Sequence, residues 1–142
     1  MIKKPSPEII VSACLAGLNC RFDCRSQERA EVVALVQAGQ AIPVCPEQMG
    51  GLSTPRDPSE QVDGRIMTNK NIDVTDSYKL GAEEALKVAR LFGIKKAILK
   101  SRSPMCGVHQ VYDGTFSGKL IEGKGILSEL LHQEGFELKE ID

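Results

Sequence analysis

The sequence predicts a three-layer α/β fold with a small, largely parallel sheet and β-hairpin excursions. Three observations lead there. Short apolar runs alternate along the chain with longer segments of helical period. The step from the first helix to the second strand is about two residues, the length of a tight βαβ connection. Asp-Gly pairs stand between strand-like residues at Asp63-Gly64 and Asp113-Gly114, a hairpin signal. A chain of 142 residues is long enough to form one domain, 1–142, with its own core.

Residues 1–7 carry two prolines and read as an irregular start. Residues 8–13 form an apolar run suited to a strand buried on both faces, and 14–25 read as a loop with Gly17, Asn19 and Asp23 as turn formers. Ser26 is placed to cap a helix with Ala30, Val33, Ala34 and Val36 on its period, and Gly39 ends it. Residues 41–45 are the second strand. From Pro46 to Asp73 the composition predicts an irregular course with a small hairpin around Asp63-Gly64. Tyr78, Ala82, Ala85, Leu86, Ala89 and Phe92 recur at helical spacing over 75–92, and Gly93 stops that helix. A strand follows at 96–99, then a cysteine-bearing loop and a second hairpin near 112–116. A last helix over 126–134 stops at Gly135 and hands over to a strand at 136–138.

With 18 basic and 19 acidic side chains the net charge is −1, so bulk electrostatics attract no polyanion, and a nucleic-acid partner is not expected. The apolar stretch near the start is too short for a signal-peptide core, and no run approaches the roughly 20 apolar residues of a membrane span. A cytoplasmic protein without membrane contact is therefore expected. In that reducing compartment the five cysteines read as metal-binding, catalytic or buried thiols rather than disulfides.

Three apolar runs each deliver a cysteine beyond their end: Cys14, Cys45 and Cys106. In an open parallel sheet, functional groups gather outside the carboxyl ends of the strands, so these three thiols can converge. Three chemistries suit the pattern. A phosphate cradle running from Cys14 to Arg21 is too long for that loop, and no helix begins where its positive end is needed. Structural zinc has two ligand-like pairs, Cys20 with Cys24 and Cys106 with His109, but lacks paired Cys-x2-Cys knuckles. An iron–sulfur cluster held by Cys14, Cys45 and Cys106 would leave one iron open to a soft donor such as a substrate sulfur.

The residues around these cysteines resemble a known family. Val11-Ser-Ala-Cys14, the run from Pro43 through Cys45, Glu47, Gly50-Gly51 and Thr54-Pro55-Arg56, the Ser103-to-Gly107 segment and Tyr112-Asp-Gly-Thr-Phe-Ser-Gly118 are similar to the thiouracil desulfidase family, DUF523. That resemblance implies a Rossmann-like domain with a [4Fe-4S] cluster on Cys14, Cys45 and Cys106. It implies removal of sulfur from 2-thiouracil or a related small thiocarbonyl compound without net redox change, with Glu47 and Ser103 as catalytic residues. Cys24 stands where the family commonly has Gly, and is either a stray thiol or a fourth ligand that closes the open iron.

Around this centre, Lys100 is expected to offset cluster charge. Arg56 reads as a solvated charge or as a partner of Asp57 or Glu60, His109 as a loop histidine, His132 as surface and Met105 as a gap filler. A non-enzymatic carrier of sulfur or clusters would use the same thiols. It predicts an exposed apolar rim, whereas an enzyme predicts a cavity lined by Glu47 and Ser103.

Overall fold

The computed structural model describes residues 6–142; most of the irregular start expected over 1–7 lies outside them. Four parallel strands, β1 (Ile9–Ser12), β2 (Ala41–Val44), β5 (Lys96–Lys100) and β8 (Glu137–Ile141), form one sheet in the order β2-β1-β5-β8. Helices α1 (Ala30–Gln37), α3 (Thr75–Leu91) and α4 (Ile126–Gln133) separate them along the chain. Because side chains alternate across a strand, Ile10 and Leu99 join one apolar cluster with Ala82, Ala85, Ala89, Leu127 and Leu131 of α3 and α4. Val11 and Ile98 join the other, with Val32 of α1 and Leu15. Helices cover both faces, which is the three-layer arrangement the apolar runs predicted. Pro43 lies in β2 at the sheet edge, where its missing N–H costs no ladder bond.

Two hairpins leave this frame. In the first, β3 (Ser59–Val62) and β4 (Arg65–Thr68) are joined by Asp63-Gly64, both at positive φ, as a two-residue primed turn requires. The second pairs β6 (Gln110–Tyr112) with β7 (Leu120–Glu122). Here Asp113-Gly114 makes no tight turn, because the connection runs on to Lys119 and is held elsewhere. Asp113 accepts from the Thr115 N–H and hydroxyl, and Glu60 accepts from the N–H groups of Gly114 and Phe116.

Three local expectations change. Helix α1 begins at Ala30 rather than at a Ser26 cap, since the N–H groups of Gln27 and Arg29 are spent on the carbonyls of Cys14 and Leu15. A 3-10 turn occupies Ala13–Ala16 in the stretch expected as loop. A short helix, α2 (Pro46–Met49), starts directly after Cys45 with proline at its first position, where no N–H is missed. No helix among the described residues is long and apolar enough to cross a membrane.

Candidate active site

Beyond the carboxyl ends of β1, β2 and β5 lies a cleft of about 560 Å³, lined among others by Cys14, Cys45, Glu47, Arg56, Lys100 and Cys106. Strand register explains the convergence. Ser12 pairs with Val44 across β1 and β2, so the chain enters the Cys14 turn and the Cys45 position side by side. The Ser12 hydroxyl accepts from the Lys100 N–H at 2.9 Å, tying β1 to the end of β5. Cys106 arrives on the turn after β5. The Ser103 Oγ accepts there from the N–H groups of Met105 and Cys106, each at 3.0 Å. The buried Ser128 hydroxyl of α4 then donates to the Cys106 carbonyl at 2.8 Å.

The thiols feel one another. Burial and the Glu47 carboxylate push Cys14 up to about 11, with Cys45 adding to the rise and Lys100 and Arg21 opposing it. Burial drives Cys106 well above the ordinary thiol value; Glu47, Cys14 and Cys45 add to this, and the Ser12 hydroxyl opposes it. Cys45 is lowered, first by a hydrogen bond from the Cys20 thiol and then by the Gln48 N–H and Arg56, against burial and Glu47. The same bond and burial raise Cys20. The Cys45 sulfur lies 3.5 Å from Glu47 Oε2 and 3.7 Å from the Cys20 carbonyl oxygen.

Two cations flank this sulfur-rich floor. The Lys100 ammonium donates to Ser101 Oγ at 3.1 Å and lies 3.5 Å from an Asp142 carboxylate oxygen. Desolvation lowers its pKa despite that carboxylate. Arg56 was expected in solvent beside Asp57 or Glu60. Instead its side chain is only 12% exposed, with Nη2 at 4.0 Å from Glu47 Oε2. It also donates to the Cys20 carbonyl and Thr54 Oγ1, each at 3.0 Å. Among the described residues, Cys14, Cys20, Cys45, Cys106, Glu47, Ser103 and Lys100 all line this cleft. Cys24 is exposed and outside it. His109 is exposed, and so is His132 on α4; Met105 is fully buried in the core. The zinc pairs therefore do not assemble, and no three Cys, His, Asp or Glu groups among the described residues stand close enough to hold one metal ion.

Sequence reasoning missed Arg56 and Glu60. Their neighbours in sequence suggested charge pairing in water. Arg56 had one sign of more, its place at the end of the long Pro43-to-Arg56 motif.

A parallel α/β domain with a thiol-lined cleft at its strand ends, equipped with carboxylates and cations, is the class of protein this site defines. Comparison narrows it. A family model described as 2-thiouracil desulfurase matches residues 9–142, so the chain belongs to the 2-thiouracil desulfurase family. It is 39% identical to the uncharacterized protein YbbK of Bacillus subtilis (strain 168), over 90% of this chain and 91% of that protein. It also matches the solved structure of the [4Fe-4S]-dependent thiouracil desulfidase TudS. There the TM-score is 0.90 and the identity 39%, covering 95% of this chain and 91% of that one.

Proposed function

We propose that the protein is an iron–sulfur enzyme that removes sulfur from 2-thiouracil, or a related small thiocarbonyl compound, to give uracil and sulfide. The observation that carries the reading is the meeting of Cys14, Cys45 and Cys106 in one cleft with Glu47. Three soft thiolate donors from three separate loops suit a cluster, which spreads its ligands over several irons, better than a single ion. Cys14, Cys45 and Cys106 would hold a [4Fe-4S] cluster. When bound, it supplies an open iron that acts as a Lewis acid toward the substrate sulfur.

The residues of the chain do the rest. Glu47, two positions beyond Cys45 and facing the same cleft, takes a proton from water as it attacks the thiocarbonyl carbon. Arg56 keeps that carboxylate turned inward. Lys100, its own charge partly desolvated, offsets the thiolates and the leaving sulfide. Ser103 holds the Cys106 turn through the lone pairs of its oxygen and keeps its hydroxyl proton for the substrate ring. Cys20 lines the cleft beside Cys45, its carbonyl accepting from the Cys45 thiol, and is not a ligand. A cleft that contains Glu47 and Ser103 beside the thiols favours an enzyme over a carrier, and thiols of this kind belong in a reducing cytoplasm.

The test is anaerobic purification followed by iron and acid-labile sulfide counts, with uracil and sulfide assayed after adding 2-thiouracil. Cys14→Ser, Cys45→Ser and Cys106→Ser each lose the cluster, whereas Cys20→Ser and Cys24→Ser keep it. Glu47→Gln keeps the cluster and loses about 10²–10⁴-fold in turnover, the usual worth of a positioned base. A full cluster in any of the first three variants removes that residue from the ligand set.

A further inference from the structure

The loop between β6 and β7 presents one aromatic side chain to the cleft in a conformation that nothing in the core explains. Phe116 has φ 55, the left-handed region that bulky side chains rarely enter. It is 39% exposed, yet it lines the cleft. Its backbone is held from below. Glu60, on β3 and only 9% exposed, accepts through one oxygen from the Gly114 N–H at 3.0 Å and the Phe116 N–H at 3.1 Å. Gly114 lies so close to β3 that a Cβ there would stand 2.5 Å from the Gln61 carbonyl oxygen. The Asp113 carboxylate closes the loop from its other side through the Thr115 N–H at 2.9 Å. Backbone strain kept in place by this many bonds points to a function for the side chain it aims. The other exposed aromatic of the cleft, Phe22, already carries the Arg21 guanidinium over its ring at 5.6 Å.

We infer that Phe116 is the stacking platform for the planar ring of the substrate, and so a specificity-determining residue, and that Glu60 is the positioning residue that sets its height over the cleft. This rests on the proposed desulfidase reading and adds how the heterocycle is recognised. Thiols, Glu47 and the cations act on the thiocarbonyl group but cannot distinguish a pyrimidine from an acyclic thioamide. A ring face does, because stacking grows with the flat conjugated area of the partner, and a pyrimidine presents a whole ring where an acyclic thioamide presents only its N–C=S unit.

The experiment uses the anaerobically purified, cluster-loaded full chain. It measures uracil binding by equilibrium dialysis alongside the KM and kcat for 2-thiouracil. Phe116→Ala weakens uracil binding and raises KM by about tenfold, the usual cost of losing one base–aromatic stack, with kcat and iron content at wild-type levels. Phe116→Tyr keeps wild-type values. Glu60→Ala reproduces the Phe116→Ala effect, the double variant is no worse than either single one, and Glu60→Gln, which retains an acceptor oxygen, restores binding. Unchanged uracil affinity and KM in Phe116→Ala overturn the platform. Additive losses in the double variant overturn the role of Glu60. A wild-type protein that carries its cluster but releases no sulfide from 2-thiouracil overturns the desulfidase reading, and this inference with it; normal turnover with an unmoved KM overturns this inference alone.

Discussion

Arg56 joins two loops and the candidate base in one side chain. Its guanidinium donates to the Cys20 carbonyl and to Thr54 Oγ1, and it lies 4.0 Å from Glu47, while its own N–H donates to the Phe22 carbonyl at 2.9 Å. Several acceptors on different sides call for the planar fork of arginine, which the single ammonium of lysine cannot reproduce. Arg56→Met takes the guanidinium donor from the largely buried Cys20 carbonyl and the facing positive charge from the Glu47 carboxylate. It should therefore cost about 1–3 kcal/mol in denaturant unfolding of the cluster-free protein, the usual penalty for orphaning such groups. Turnover should fall with it, because Glu47 is no longer held toward the cleft. Arg56→Lys should recover little of either. If Arg56→Met unfolds at the wild-type denaturant concentration, the guanidinium is not clamping these loops.

The short helix α2 carries Glu47 into the cleft, and its place is set by contact of backbone with backbone against α3. A Cβ on Gly81 would stand 1.8 Å from the Pro46 carbonyl oxygen, and one on Gly50 would stand 2.0 Å from that of Ser77. Neither neighbour is a flexible side chain, so Gly81→Ala must push α2 and the adjoining Cys45 away from α3. Overpacking of this kind costs about 1–3 kcal/mol, and here it should also lower bound iron. Gly93→Ala is the control. Its added Cβ meets nothing within 4 Å, but its φ of +66 disfavours a side chain, so stability falls while iron content stays. Equal iron loss in both variants would show that general destabilisation, not displacement of α2, empties the site. These contacts also mark where sequence reading stops. The strands were legible because Ile10, Val11, Ile98 and Leu99 must be buried on both faces, and α3 because Tyr78 to Ala89 repeats its period several times. A four-residue helix shows no period, and Gly81 inside a good helical pattern reads as a defect until its neighbour is known. The thiols and Glu47 were legible because Cys14, Cys45 and Glu47 come within three residues of a strand end and Cys106 lies on the turn that follows one, whereas Arg56 and Glu60 owe their positions to contacts with loops distant in sequence.

Across the whole molecule, the order β2-β1-β5-β8 means the chain runs from β1 out to β2 at one edge and later crosses back past β1 to place β5 on its other side. Loops from neighbouring strands diverge at such a switch point and open a crevice there, which is why Cys14, Cys45 and Cys106 face one cleft although they are far apart in the chain. A cluster bound to all three would cross-link those loops in the native state only, and anything that binds the native state alone raises stability. The rest of the fold does not need it. Apolar clusters lie on both faces of the sheet, and eight side chains in the larger one, including Ile66, Ala85, Leu99 and Leu127, have no exposed surface at all. This separates the protein from small metal domains, in which the ion supplies the folding free energy and its loss unfolds the chain. Stripping iron with a chelator under anaerobic conditions should therefore leave the far-ultraviolet circular dichroism unchanged and lower the melting temperature by several degrees, since about 1 kcal/mol shifts Tm by ~4 °C in a chain of this size. The triple variant Cys14→Ser, Cys45→Ser, Cys106→Ser should melt near the chelated protein and gain nothing from added iron and sulfide. A random-coil spectrum after chelation would mean that the sheet and its two helical layers are not self-sufficient. An unmoved melting temperature would mean that the three thiols are not joined through a common centre.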